Sequence, residues 1–139
     1  MKSTHWANYG AIIPAAGQGK RMGGQGNKLL LEIAGTPILV YTLRVFADCP
    51  YITEIVIPAA VQDIPAIQTI IQKSNLSKRA KVIEGGHQRQ DSVYKAIKAL
   101  SHETHRVVVH DGARPLLTLE DLNRFLEEAQ DFEAAITAM

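Results

Sequence analysis

Three stretches of this chain gather residues able to handle an anion. The first, PAAGQGKRMGGQGNK (14–28), combines five glycines with Lys20, Arg21 and Lys28. Gly17 and Gly19 free the backbone to approach a phosphate chain with its N–H groups turned inward, and the three cations can add charge-assisted hydrogen bonds. The second, GGHQRQDS (85–92), sets Gly85-Gly86 before Arg89, Asp91 and Ser92 at a helix start. Free N–H groups and a hydroxyl there can read the edge of a base. The third, HDGARP (110–115), places Asp111 at a strand end close to Arg114. A carboxylate in that position can hold a divalent ion against phosphate oxygens. Each stretch also has a plainer reading, namely a solvated loop, a Gly-Gly turn, and an Asp111–Arg114 pair that only braces its loop. His110 reads as a packed, hydrogen-bonded residue closing an apolar strand, and His87 as solvent-facing. His5, His102 and His105 have no ligand spacing.

The first loop fits neither of two familiar phosphate motifs. Continued as a dinucleotide fingerprint, Gly17-Gln18-Gly19 would need glycine where Met22 stands, and an acidic residue about 20 positions on, where Pro37 and Ile38 are found. A P-loop would end in Gly-Lys-Ser/Thr, and the chain has Asn27-Lys28-Leu29.

The elements that must position these loops follow from the apolar pattern. Tyr9–Pro14, Ile52–Pro58, Ala80–Glu84 and Arg106–His110 read as buried strands, and the Val107-Val108-Val109 run suggests burial on both faces. Thr36-Pro37 reads as a helix start with a hydroxyl cap and proline at the first helical position. Leu39, Leu43 and Phe46 lie on one face of that helix, which ends near Cys49-Pro50. Ile64, Ile67 and Ile71 mark a second helix ending near Ser74-Asn75. Val93, Ile97 and Leu100 mark a third, and Thr118 caps a fourth with Leu119, Leu122 and Leu126 inward. AAITAM (134–139) looks like a fifth strand beginning. Alternating strands and helices predict a three-layer α/β/α sandwich on a mostly parallel sheet, with ligands outside the carboxyl ends of the strands. All three polar loops follow strands.

Totals exclude several classes. The 139 residues suit a single domain, and 46% hydrophobic with 21% charged residues is ordinary for a globular protein. A net charge of +1 argues against an extended nucleic-acid footprint. No apolar run is long enough to span a membrane, and the N-terminus has no secretory h-region. Cys49 is the only cysteine, so an internal disulfide or multi-cysteine metal site is excluded, and a cytoplasmic setting is expected. Cys49 and Trp6 read as packing residues.

Taken in order, PAAGQGKRM with Lys28 downstream, GGHQRQDSV and VHDGARP resemble the motifs of the cytidylyltransferases acting on 2-C-methyl-D-erythritol 4-phosphate in the non-mevalonate route to isoprenoid precursors. The resemblance runs from about Ala11 to the C-terminus. It implies a Rossmann-like nucleotidyltransferase fold and transfer of CMP from CTP to the alcohol phosphate, with pyrophosphate released. It makes Arg21 and Lys28 the catalytic residues. Pro14, Ala15, Ala16, Gly17, Gln18, Gly19 and Lys28 would bind the nucleotide, the glycine-rich loop wrapping its triphosphate. Gly86 and Ser92 would face the cytosine, with Gly85, His87 and Gly112 also binding the nucleotide, while Ala113 would lie by the ribose and Asp111 by Mg²⁺. The family's chain continues further, through a PV-x-D-T segment, basic residues for the second substrate, a second acidic metal contact and a dimer arm. Residues 1–139 would therefore be the nucleotide-binding part of one domain, with its C-terminal half absent and turnover impaired. A ribitol 5-phosphate or other sugar-phosphate nucleotidyltransferase, and a non-catalytic nucleotide-binding fragment, are the alternatives.

Overall fold

The computed structural model describes residues 9–16, 27–77, 79–112 and 117–129. The central sheet has four strands, β1 (Tyr9–Ile12), β4 (Ile52–Ala59), β5 (Ala80–Glu84) and β6 (Arg106–Val109). All neighbours are parallel, in the order β5-β4-β1-β6. A hairpin of β2 (Glu32–Ile33) and β3 (Thr36–Pro37) stands apart. The helices are α1 (Ile38–Asp48), α2 (Ile64–Lys73), α3 (Arg89–Lys98) and α4 (Leu119–Ala129).

The chain builds outward from β1 through β4 to β5, then returns to lay β6 along the other side of β1. That reversal leaves a crevice at the carboxyl ends of β1 and β6, where open α/β sheets take their ligands. Strand alternation divides the core between two faces. On one, Ala11, Ile13, Ile55, Ile57 and Val108 meet Leu39, Leu43 and Phe46 of α1, Ile67 and Ile71 of α2, and Leu122 and Leu126 of α4. On the other, Ile12 and Val56 meet Ala96 of α3, with Val93, Leu100 and Val109 alongside. Helices thus lie on both faces of a parallel sheet, as the alternation of elements predicts.

Three expectations need correction. Thr36 does not cap α1, because its backbone pairs with Ile33 in the hairpin; Pro37 takes the cap position with ψ 143° and no side-chain cap bond forms. Ala34 and Gly35 turn that hairpin with φ of 55° and 81°, a left-handed pair that matches strand twist in a two-residue turn. Ile97 is 44% exposed, and the buried stripe of α3 is Ser92 and Ala96. The Val107–Val109 run is buried on one face only. Val108 is in the core while Val107 is 39% exposed, because among the described residues β6 is an edge strand and α3 is the sole helix on that face.

Other expectations hold. Thr118 Oγ1 accepts from the Asp121 N–H at 3.0 Å and so caps α4. Cys49 is fully buried just past α1, its thiol donates to Asn123 Oδ1 at 3.1 Å, and burial pushes its pKa up. Trp6, His5 and the strand expected at 134–139 lie outside the described residues.

Candidate functional site

The site begins where β1 runs out. Beyond Ile12 the chain stays hooked to β4, with the Ile13 N–H donating to Val56 O at 3.0 Å and the Ala15 N–H to Pro58 O at 2.8 Å. Pro14 and Ala15 are thereby buried, and Ala16 emerges half-buried at the sheet's edge. On the far side of β4, the Gly85 N–H donates to Ala59 O at 2.8 Å and carries β5 one residue further.

Gly85 is where these two loops meet. A Cβ placed there would stand 2.7 Å from Ser92 Oγ and 2.9 Å from Ala16 Cβ, closer than any side chain tolerates. The Gly86 N–H donates to Ser92 Oγ at 2.9 Å, and a Cβ on Gly86 would collide with Asp91. Ser92 is 1% exposed, so its hydroxyl fixes this turn from below. Asp91 is occupied in capping α3, accepting from the Gln88 N–H at 3.3 Å, and His87 is exposed as expected. The exposed Lys95 ammonium donates to Gly85 O at 3.3 Å.

The third loop closes the other side. The His110 N–H donates to Ile12 O at 3.0 Å, and its buried ring packs 5.5 Å from that of Phe46, which bears out the packing reading. Asp111 follows, half-buried. Gly112 is buried, and its carbonyl accepts from Thr42 Oγ1 of α1 at 3.0 Å. A Cβ on Gly112 would lie 2.9 Å from Ile13 Cγ2, 3.2 Å from Leu29 Cδ1 and 3.3 Å from Leu39 Cδ1. Gly112→Ala is therefore expected to cost about 1–3 kcal/mol of stability by overpacking, read as a lower urea midpoint with unchanged slope.

Lys28 is exposed and opens a short 3₁₀ turn, Lys28–Leu30. Leu29 buries its side chain completely and touches Gly112, so the turn bearing Lys28 is set against the loop bearing Asp111. The structure thus brings together Pro14, Ala15, Ala16, Gly85, Gly86 and Ser92 around one contact, and Lys28, Asp111 and Gly112 around another. Gly17, Gln18, Gly19, Arg21, Ala113 and Arg114 lie outside the described residues.

Two contributors escape the motif reading. Asn27 caps the Lys28 turn, which an Asn ahead of a turn could have signalled. Thr42 sits mid-helix in an apolar run, and nothing local marks it as the residue that holds Gly112. Among the described residues no three His, Cys, Asp or Glu side chains cluster as metal ligands. Asp111, half-buried just past the end of β6, offers a carboxylate, a donor type that Mg²⁺ accepts alongside phosphate oxygens and water.

Comparison with known proteins agrees with this geometry. A protein from Halalkalibacterium halodurans named 2-C-methyl-D-erythritol 4-phosphate cytidylyltransferase is 41% identical over 131 residues, covering 94% of this chain and 57% of that protein. Its namesake from Bacillus cytotoxicus is 44% identical over the same length, covering 94% and 58%. The crystal structure of 4-diphosphocytidyl-2C-methyl-D-erythritol synthase from Anaerococcus prevotii superposes with a TM-score of 0.76 at 27% identity, covering 88% of this chain and 51% of that one. The chain spans about half the length of the curated relatives it matches. The sequence pattern of the 2-C-methyl-D-erythritol 4-phosphate cytidylyltransferase (IspD) family matches residues 10–139, and the chain belongs to that family.

Proposed function

We propose that this chain supplies the nucleotide side of a site where CMP passes from CTP to 2-C-methyl-D-erythritol 4-phosphate, with pyrophosphate released. Family membership names the reaction. The observation that carries its placement is the convergence of Pro14–Ala16, Gly85–Gly86 and Asp111–Gly112 at the carboxyl edge of one parallel sheet.

A phosphate oxygen of the alcohol attacks the α-phosphorus of CTP in line, and the bond to the bridging oxygen of pyrophosphate breaks. Such a transfer depends on positioning and charge neutralisation more than on covalent help. In this reading the glycine-rich loop, with Gly17, Gln18 and Gly19, binds the triphosphate. Arg21 and Lys28 meet the charge that grows on the α-phosphate and the departing pyrophosphate. Gly85, Gly86, His87 and Ser92 take the cytosine, and Gly112 and Ala113 the ribose. Asp111 holds Mg²⁺, which supplies further neutralisation of phosphate charge when bound. The same reading gives a cytoplasmic enzyme, in keeping with the buried Cys49 outside any disulfide, acting on small molecules rather than nucleic acid, whose full-length parent would pair as a homodimer through an arm beyond these residues. No described helix is long and apolar enough to cross a membrane.

Ser92→Ala tests the base end of this site. It removes the acceptor of the Gly86 N–H, and CTP affinity is expected to fall about five- to tenfold while pyrophosphate binding stays unchanged. Calorimetric titration of both ligands reads the difference. Equal losses for CTP and pyrophosphate, or no loss, would overturn the assignment of the cytosine end.

A further inference from the structure

We propose that Asn27 is a positioning residue that fastens the turn bearing Lys28 to the end of β1 and so sets where the Lys28 side chain starts. The inference rests on the reading of Lys28 as a nucleotide contact.

Asn27 is 6% exposed, and its carboxamide reaches three separate parts of the chain. Oδ1 accepts from the Leu29 N–H at 2.9 Å, which caps the 3₁₀ turn. Nδ2 donates to Ala15 O at 2.9 Å and to Asp63 Oδ2 at 3.2 Å. A carboxamide has two N–H donors and a carbonyl acceptor, and here both hydrogens and the oxygen are engaged. Ala15 and Asn27 bracket residues 17–26, so one side chain fastens the exit of the loop to its entrance. Asp63, at the start of α2, anchors the same amide from outside.

No other side chain reproduces this pattern. Aspartate keeps the cap but has no donor, and it would face the Asp63 carboxylate and the Ala15 carbonyl with like charge and lone pairs. Alanine leaves a buried N–H and a buried carbonyl without partners. Lys28 is the next residue, and it carries a long, flexible stem. Holding its backbone between the Asn27 cap and the buried Leu29 fixes the point from which that stem reaches out.

The test reads Lys28 directly. Reductive methylation with formaldehyde and borohydride, followed by mass spectrometry, measures the reactivity of the Lys28 amine with and without saturating CTP and Mg²⁺. In the wild-type chain the nucleotide is expected to slow methylation of Lys28 about fivefold or more, and in Asn27→Ala less than about twofold at saturation. Circular dichroism at the assay temperature confirms that each variant is folded. Asn27→Asp is expected to lose protection as well, and adding Asp63→Asn is expected to restore at least half of it by returning a donor to the carboxylate–amide pair. Loss of stability alone does not predict that recovery.

Protection in Asn27→Ala and Asn27→Asp equal to wild type would overturn the inference. Failure of Asp63→Asn to restore any would overturn the role of the Asn27–Asp63 pair. Absence of protection in the wild-type chain would overturn the nucleotide reading of Lys28 itself, a separate failure visible before any variant is made.

Discussion

Lys28→Ala, in protein carrying this sequence and assayed with CTP and methylerythritol phosphate, is expected to slow the chemical step by about a hundred- to a thousandfold, while CTP binding weakens less than about threefold. The reason is differential. On the proposed reading, the triphosphate charge of bound CTP would already be shared among loop N–H groups and a divalent ion. As the α-phosphorus is attacked, charge moves to the bridging oxygen of the departing pyrophosphate, and an ammonium placed there gains most in the transition state. Lys28 suits the role because its turn is pinned by the buried Leu29 against Gly112, one residue beyond Asp111. Arg21→Ala is expected to behave alike. Single-turnover kinetics with saturating CTP separates the two effects. A Lys28→Ala variant whose chemical step is unchanged while its CTP affinity collapses would show a ground-state anchor instead.

Gly85→Ala is expected to weaken CTP binding by about tenfold or more, roughly 1.4 kcal/mol or above, and to lower the melting temperature by several degrees. The added methyl has nowhere to go. It would stand 2.7 Å from Ser92 Oγ and 2.9 Å from Ala16 Cβ, and neither belongs to a long, yielding side chain. If Ser92 gives way, the Gly86 N–H loses its acceptor; if Ala16 gives way, the entrance of the phosphate loop moves off β4. Either movement separates the base end of the site from the phosphate end. Calorimetry with CTP and a parallel thermal melt read the two consequences. Undiminished affinity in a folded Gly85→Ala variant would mean that the contact between these loops is packing without function.

Much of this arrangement was legible in the chain. The four sheet strands announced themselves as β-branched runs ended by glycine, proline or polar residues, and Leu39, Leu43 and Phe46 marked their helix face without ambiguity. The three polar loops stand out by their glycine and charge, and because each follows a strand, the parallel sheet has to deliver them to one edge. What escaped notice depended on partners distant in sequence. Thr36-Pro37 carries the local signature of a helix start, but pairing with Glu32–Ile33 claims the backbone first. Ile97 lies at helical spacing from Val93, but α3 presents Ser92 and Ala96 to the sheet, because small side chains let the helix sit close against Ile12 and Val56. The Val107–Val109 run looked buried on both faces, since sequence records hydrophobicity and not how far one helix can cover an edge strand. Thr42 is invisible to pattern for the same reason, as its partner is 70 residues away; Asn27 shows locally only as a turn cap, and its bond to Ala15, 12 residues back, does not.

Residues 1–139 are expected to assemble a pocket for CTP by themselves. Calorimetric titration of this chain with CTP, UTP, ATP and GTP, each with Mg²⁺, tests it most directly. Saturable binding with a clear preference for CTP is expected, because the Gly85-Gly86 turn, held in place by the buried Ser92 hydroxyl, would offer the base a fixed backbone edge. Binding that ignores the base, or no binding by a sample shown to be folded, would contradict it.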